Sequence, residues 1–237
     1  MTNAFHFKEF SVEQNHSGFK VGTDGCLLGA WAKINNANRV LDIGTGSGVI
    51  ALMLAQRNTR AKISAIELNT ESAEQALSNF KNSKYSDRIE VANINLAAFA
   101  QEHNQSFDSI VCNPPFFSQS TPKAVESQNQ ARHDKSLPLD LLFESSKTLT
   151  TEIGLLSVIF PSDRHAELFS TAEKHGWFTL QTEYIKPFPT KTHNRILVCF
   201  SKKQVEPIIS TWSLYQVQNT YSDRALELLT PFYLTLK

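Results

Sequence analysis

Arg39-Val40-Leu41-Asp42-Ile43-Gly44-Thr45-Gly46-Ser47-Gly48, running on into Val49-Ile50-Ala51-Leu52-Met53-Leu54-Ala55, decides how this chain is read. After Arg39, the residues Val40 to Ile43 are an apolar run broken by one acid, the pattern of a strand buried on both faces. The last seven have the length and composition of a buried helix. Between them, glycines at alternate positions let a ligand come close to the backbone and reach the free N–H groups of a helix start. The spacing is Gly-x-Gly-x-Gly and not Gly-x-Gly-x-x-Gly, so the dinucleotide fingerprint is not met. A tight turn with no ligand is the alternative for this stretch taken alone.

Outward from the loop the strand-then-helix order repeats. Residues Lys62 to Glu67 form a strand closing on an acid 25 positions after Asp42, where a doubly wound sheet binds a ribose diol. Thr70 to Asn82 has helical periodicity, with Thr70 read as its N-cap. Ile89 to Ala92, Leu96 to His103 and Phe107 to Cys112 are a strand, a short helix and a strand. Leu137 to Thr150 is an amphipathic helix burying Leu137, Leu141, Leu142 and Leu149, and Leu155 to Phe160 is a fifth strand stopped by Pro161. Ser162 caps a helix that Gly176 ends. Two adjacent strands follow, Phe178 to Ile185 and Arg195 to Ser201, then a strand pair at Ile208 to Trp212 and Leu214 to Val217 and a helix from Ser222 to about Tyr233. Upstream, residues 1–19 are an arm laid on the body, and Thr23 or Asp24 caps a helix reaching Ala32. Five βα units and two strands without a helix between them mean an α/β, doubly wound, mostly parallel sheet with a C-terminal antiparallel hairpin at one edge. The expectation is one domain over 1–237, with an arm and lead-in helix (1–38), a catalytic core (39–201) and an extension (202–237).

The fourth strand delivers Asn113-Pro114-Pro115-Phe116. Two prolines stiffen this stretch and push the residue before each toward extended backbone. They bring no N–H, so the Asn113 side-chain oxygen and the Pro114 carbonyl can line one spot as acceptors, which suits an NH2 group. Phe116 offers a flat surface for a planar base or amide. The plain alternative is a proline-rich turn after a strand.

Composition bounds the rest. A hydrophobic share of 41% and a charged share of 19% describe an ordinary globular chain. No apolar run approaches a membrane span and Met1 to Phe10 lacks the order of a signal peptide, so the expected compartment is the cytoplasm. Cys26, Cys112 and Cys199 are odd in number and widely spaced, which reads as three buried hydrophobes with no disulfide and no metal site. With 23 basic and 23 acidic residues the chain is neutral, so any grip on nucleic acid must come from a local patch.

Asp42-x-Gly44-x-Gly46-x-Gly48, then Glu67, then Asn113-Pro114-Pro115-Phe116, in that order at strand ends, resemble the class I S-adenosylmethionine-dependent methyltransferases with an NPPY-type motif, whose sheet is seven-stranded and Rossmann-like. With Lys20-Val21-Gly22-Thr23-Asp24-Gly25 upstream and the stretch from Tyr221 to Leu234 at the end, nearly the whole chain resembles the tRNA1(Val) adenine-N6 methyltransferase family. That resemblance implies S-adenosyl-L-methionine as cofactor, no metal, and the anticodon stem-loop of a tRNA as partner. It implies cofactor contacts from Lys20, Thr23, Asp42, Gly44, Thr45, Gly46 and Gly48, ribose binding by Glu67, and adenine contacts from Leu68, Asn95 and Leu96. Asn95 departs from the usual Asp; its amide oxygen accepts one hydrogen bond but carries no charge. Asn113 and the Pro114 carbonyl would accept the hydrogens of the target amine and turn its lone pair toward the methyl group, with Pro115 stiffening the motif and Phe116 stacking on the base. The RNA-binding candidates are the basic loop with Lys123, Arg132, His133 and Lys135, and the edge carrying Lys186, Lys191, His193 and Arg195. Each is also readable as a solvated surface charge. Other readings of the motif are a protein glutamine methyltransferase, a guanine-N2 methyltransferase, and a cofactor-binding module without catalysis. The first two usually carry an added domain, for which the 38 residues before Arg39 give little room.

Overall fold

A computed structural model describes residues 4–15, 20–115 and 137–236. Twelve strands and seven α-helices occur among them. In chain order these are β1 (Ala4–His6), β2 (Ser11–Glu13), α1 (Thr23–Trp31), β3 (Arg39–Ile43), α2 (Val49–Arg57), β4 (Lys62–Glu67), α3 (Thr70–Lys81), β5 (Ile89–Asn93), α4 (Leu96–Glu102), β6 (Phe107–Cys112), α5 (Leu139–Leu149), β7 (Thr150–Pro161), α6 (His165–Lys174), β8 (Phe178–Lys186), β9 (Arg195–Ser201), β10 (Ile208–Ser213), β11 (Tyr215–Val217), β12 (Thr220–Tyr221) and α7 (Asp223–Leu229).

The central sheet runs β10-β8-β9-β7-β6-β3-β4-β5. All neighbours are parallel except the two pairs made by β9, which is antiparallel to both β7 and β8. Successive residues of the buried strands face opposite layers. Val40 joins α1, α2 and α3 in one core, whereas Leu41 joins α4, α5 and α6 in the other. The strands therefore read as unbroken apolar runs, as expected for a sheet covered on both faces. The three cysteines are free and buried, as their composition suggested.

The sheet has eight strands where seven were expected. Ile208–Ser213 does not pair with the segment after it; it lies parallel to β8, from Ile208 beside Gln181 to Ser213 beside Lys186. Tyr215–Val217 instead pairs with Thr220–Tyr221, across a turn in which Asn219 takes a left-handed conformation at φ 63. The β8–β9 hairpin is present but is not the edge, because β10 covers β8. Buried Glu183 of β8 fixes that arrangement, accepting from Trp212 Nε1 of β10 at 2.7 Å and Arg224 Nη2 of α7 at 2.8 Å. A buried carboxylate is tolerated because donors from both elements satisfy it.

Smaller differences concern caps. Asn69, not Thr70, caps α3 by accepting from the Ser72 N–H at 2.9 Å, and Thr70 donates its hydroxyl to Asn93. Gly22 precedes α1 with no side-chain cap, so neither Thr23 nor Asp24 fills that role. Ser162 opens a 3-10 turn (Ser162–Arg164) leading into α6, and its hydroxyl donates to the His193 carbonyl. Gly176 takes φ 72 beyond the end of α6, as its sequence position suggested.

Candidate active site

Four strand ends stand level along one edge of the sheet. Ile43 pairs with Cys112 on one side and Ile66 on the other, and Glu67 pairs with Asn93. The next residues along β6 and β3 are Asn113 and Gly44, so the glycine loop lies between Asn113 and Glu67 at the carboxyl ends of parallel strands, where open α/β sheets bind ligands.

The loop's shape follows from its glycines and from one buried acid. Gly44, Gly46 and Gly48 have φ of 68, 57 and 87, a region that side chains rarely enter. A methyl group added to Gly44 or Gly46 would meet nothing within 4 Å, so the loop borders open space. At Gly48 it would run into the Phe80 ring. Below the loop, Thr45 donates its hydroxyl to Asp42 Oδ2 at 2.6 Å, and both residues are buried. The two are therefore tied to each other beneath the loop, which their bond helps to shape. Burial pushes the Asp42 carboxyl up to about 7; the Glu67 charge adds to the effect, while the Thr45 hydroxyl and the Ala51 N–H oppose it.

Glu67 is held from both sides, accepting from the Gly46 N–H at Oε2 and the Asn69 N–H at Oε1, each at 2.9 Å. A carboxylate has about four acceptor positions, so two are left for a diol. Asn93 steadies the same turn by donating to the carbonyls of Glu67 and Leu68. Leu68 is 65% exposed beside it, an apolar surface facing outward. Asn95 is exposed and caps α4, accepting from the Ala98 N–H at 2.8 Å, which engages one lone pair of its amide oxygen. Leu96 buries its side chain beneath α4, so only its backbone stands at the strand end.

Asn113 and Pro115 are half-buried and Pro114 is buried. A methyl group on Gly25 would stand 3.9 Å from Asn113 Nδ2, 3.7 Å from Val49 and 3.8 Å from Ile50. The first turns of α1 and α2 thus converge on Asn113, which brings the exposed Lys20 and Thr23 to the same end of the sheet. Sequence reasoning missed what anchors this approach: Arg195 Nε donates to Asp24 Oδ2 at 2.7 Å, with both side chains about one-third exposed. It missed Asn79 as well, a buried polar residue of α3 whose amide reaches the Ser47 carbonyl at 2.8 Å and the arm at Glu13. Lys191 is exposed in the β8–β9 connection. Phe116, Lys123, Arg132, His133 and Lys135 lie outside the described residues. Among the described residues no group of three or more His, Cys, Asp or Glu could hold a metal, and no helix is long and apolar enough to cross a membrane.

A mostly parallel sheet carrying a glycine loop, an acid at the next strand end and an Asn-Pro-Pro motif on the neighbouring strand defines a class I methyltransferase. Residues 14–133 match the family described as methyltransferase small domain. The fold is similar to a structure described as a predicted O-methyltransferase from Agrobacterium tumefaciens, with a TM-score of 0.70 at 19% identity over 88% of this chain and 96% of that one. It is also similar to geranyl diphosphate C-methyltransferase from Streptomyces coelicolor, solved with S-adenosyl-L-homocysteine, with a TM-score of 0.55 at 10% identity over 84% and 93% of the two chains.

Sequence relatives narrow the class. The chain is 37% identical to a tRNA1(Val) (adenine(37)-N6)-methyltransferase of Flavobacterium psychrophilum over 98% of its own length and 100% of the relative's. It is 38% identical to the protein of the same name in Photorhabdus laumondii, over 98% and 96% of the two chains. The chain belongs to the tRNA1(Val) (adenine(37)-N6)-methyltransferase family.

Proposed function

We propose that this chain transfers the methyl group of S-adenosylmethionine to N6 of adenine 37, immediately 3′ of the anticodon in tRNA1(Val), acting as one domain in the cytoplasm. The observation that carries the reading is the level placement of Asn113, Gly44 and Glu67 along one edge of the sheet. Near-full-length likeness to the named relatives supports the substrate. S-adenosylmethionine, when bound, supplies an electrophilic methyl group. The residues present fit it: open space over Gly44 and Gly46 for the methionine portion, two acceptor positions on Glu67 for the ribose hydroxyls, and exposed Leu68 for the adenine ring.

The target amine of adenine has its lone pair drawn into the ring and is a weak nucleophile. Asn113 Oδ1 and the Pro114 carbonyl accept its two hydrogens, which favours a pyramidal nitrogen whose lone pair points away from them. Preorganisation is the main contribution here, because prolines fix the backbone before substrate arrives. No strong general base is needed, since the proton leaves to water after transfer. Phe116, by its place in the motif, stacks on the base. A base in an RNA loop is turned out at less cost than one in a duplex.

The test is to incubate the protein with methyl-labelled S-adenosylmethionine and tRNA transcripts or a protein extract, then identify the product by mass spectrometry. N6-methyladenosine at position 37 of the valine tRNA is expected. Label in guanine or in a glutamine side chain would overturn the substrate.

A further inference from the structure

Three aromatic rings line up where the C-terminal elements meet the active-site end of the sheet. Phe188 and Tyr215 have centroids 5.6 Å apart with planes at 31°, and Tyr215 and Tyr221 are 4.8 Å apart, also at 31°. All three are partly exposed. Neither Phe188 nor Tyr215 packs against either hydrophobic core, and Tyr221 touches the first only at its margin. Core packing therefore does not account for the row. Its backbone is fixed: the Leu214 N–H donates to the Lys186 carbonyl at 2.7 Å, the Tyr215 N–H to Pro187 at 3.1 Å, and the Ser222 N–H to Leu214 at 3.0 Å. Pro187 and Pro189 flank Phe188 and stiffen its segment.

Topology sets where the row faces. β8 and β10 run parallel to β6, so Lys186 and Ser213 end at the same edge as Asn113. β8 is three strands from β6, which at the usual spacing is about 14 Å. That separation is bridged by α1, whose first turn adjoins Asn113 and whose Cys26 lies near Tyr221. Cations at the ends of these strands include Lys186 and exposed Lys191. Arg195 is neutralised by Asp24, and Asp223, two positions after Tyr221, accepts a hydrogen bond from Gln216 Nε2 at 3.4 Å.

We infer that Phe188, Tyr215 and Tyr221 form a stacking platform for unpaired RNA bases flanking the target adenine, with Lys186 and Lys191 meeting the adjoining phosphates. The inference rests on the proposed tRNA substrate and deepens it. Flat rings beside cations, continuous with a site for a flipped base, are what a sequence-tolerant grip on single-stranded RNA requires. The rings hold the loop open by giving displaced bases a new stacking partner, while Asn113 selects the one that is methylated.

The test compares wild type with a Phe188→Ala/Tyr215→Ala double variant and with Tyr215→Phe. Each is assayed on valine tRNA transcript, and on an anticodon-loop hairpin with 2-aminopurine beside the target adenine. The double variant should raise the KM for RNA roughly ten- to a hundredfold and lose the 2-aminopurine quench, with kcat at saturating RNA unchanged. Unchanged affinity for S-adenosylhomocysteine shows that the variants are folded. Tyr215→Phe removes the hydroxyl contact with Tyr221 but keeps the ring, so its KM for RNA should rise far less than that of the double variant, because stacking needs the ring. An active wild type whose double variant keeps its RNA KM and quench overturns the platform alone; so does loss of self-association with RNA affinity intact, which would assign the rings to a second copy of the chain. A wild type that neither binds nor methylates tRNA overturns the proposed reaction as well.

Discussion

The two halves of the sheet present different kinds of surface to one crevice. On the β3–β5 side the ligand-facing groups are mostly backbone: left-handed glycines and a carboxylate clamped by two amide N–H groups from 2 and 21 residues away. On the β8–β12 side the rim is made of side chains that meet across long stretches of chain. Arg195 reaches Asp24 over 171 positions and Arg224 reaches Glu183 over 41. The first construction suits a small ligand of fixed shape, since backbone geometry leaves little freedom to adjust. The second suits a large polymer gripped at several points. On the proposed function, chemistry and recognition are held by different parts of one sheet.

The strongest test of that division is Asn113→Ala. Asn113 stands at the boundary, and in the proposed mechanism its oxygen acts on the reacting amine, so turnover should fall by about 10²–10³ while affinity for S-adenosylhomocysteine, measured calorimetrically, stays put. A parallel fall in both would mean that Asn113 belongs to the cofactor half. Glu67→Gln should give the reverse pattern. The amide NH2 would face the Gly46 or Asn69 N–H, setting donor against donor and removing the charge. Cofactor-product affinity should drop about ten- to a hundredfold, the range for a lost charged hydrogen bond, with RNA affinity unaffected.

The same division explains what could be read from the sequence. The glycine loop, Glu67 and the Asn-Pro-Pro motif were legible because each is a short run whose shape depends on its own residues. Local rules give the φ of Gly44, the extended backbone before a proline and the carboxylate closing β4. The extension was misread for the opposite reason. Ile208–Ser213 has a strand's composition, but its partner is β8, chosen by the Glu183–Trp212–Arg224 contacts, and no local pattern announces them. Asp42 and Thr45 show the limit within the legible half: the motif marked them as important, but only three dimensions reveal that they bond each other under the loop.

That buried pair gives a test by pH. The folded-state pKa of Asp42 is raised to about 7, above the value near 4 of an unfolded chain. Between those values the native protein holds a proton that the unfolded chain releases. The contribution of Asp42 to stability is therefore greatest below pH 4, falls as pH rises toward 7 with a slope of up to about 1.4 kcal/mol per unit, and levels off above. Asp42→Asn keeps an acceptor for Thr45 and removes the titration. The difference between urea midpoints of wild type and variant should widen in favour of the variant from about pH 4.5 to 7. Glu9 and Asp140, whose carboxyls are lowered by Lys84 and Lys174 respectively, titrate alike in both proteins and cancel. Parallel curves would mean that Asp42 stays ionised and that the glycine-loop half carries a buried charge.

The smallest effect sharpens the other side. Lys191 is exposed, and its backbone N–H already holds the turn by donating to Phe188, so its side chain is free to serve a distant partner. The chain as a whole is neutral, which leaves local cations to supply the electrostatic part of RNA affinity. Lys191→Ala should then weaken RNA binding only severalfold, and more so at low salt. The diagnostic is the slope of log affinity against log salt, which should shrink by about 0.7 to 1 for one lost phosphate contact. Affinity for S-adenosylhomocysteine should be unmoved at every salt concentration. A salt slope that stays the same would remove Lys191 from the RNA rim. A change in cofactor affinity would be more damaging, because it would mean that the β8–β9 connection and the glycine loop are coupled and that recognition and chemistry are not divided along the sheet.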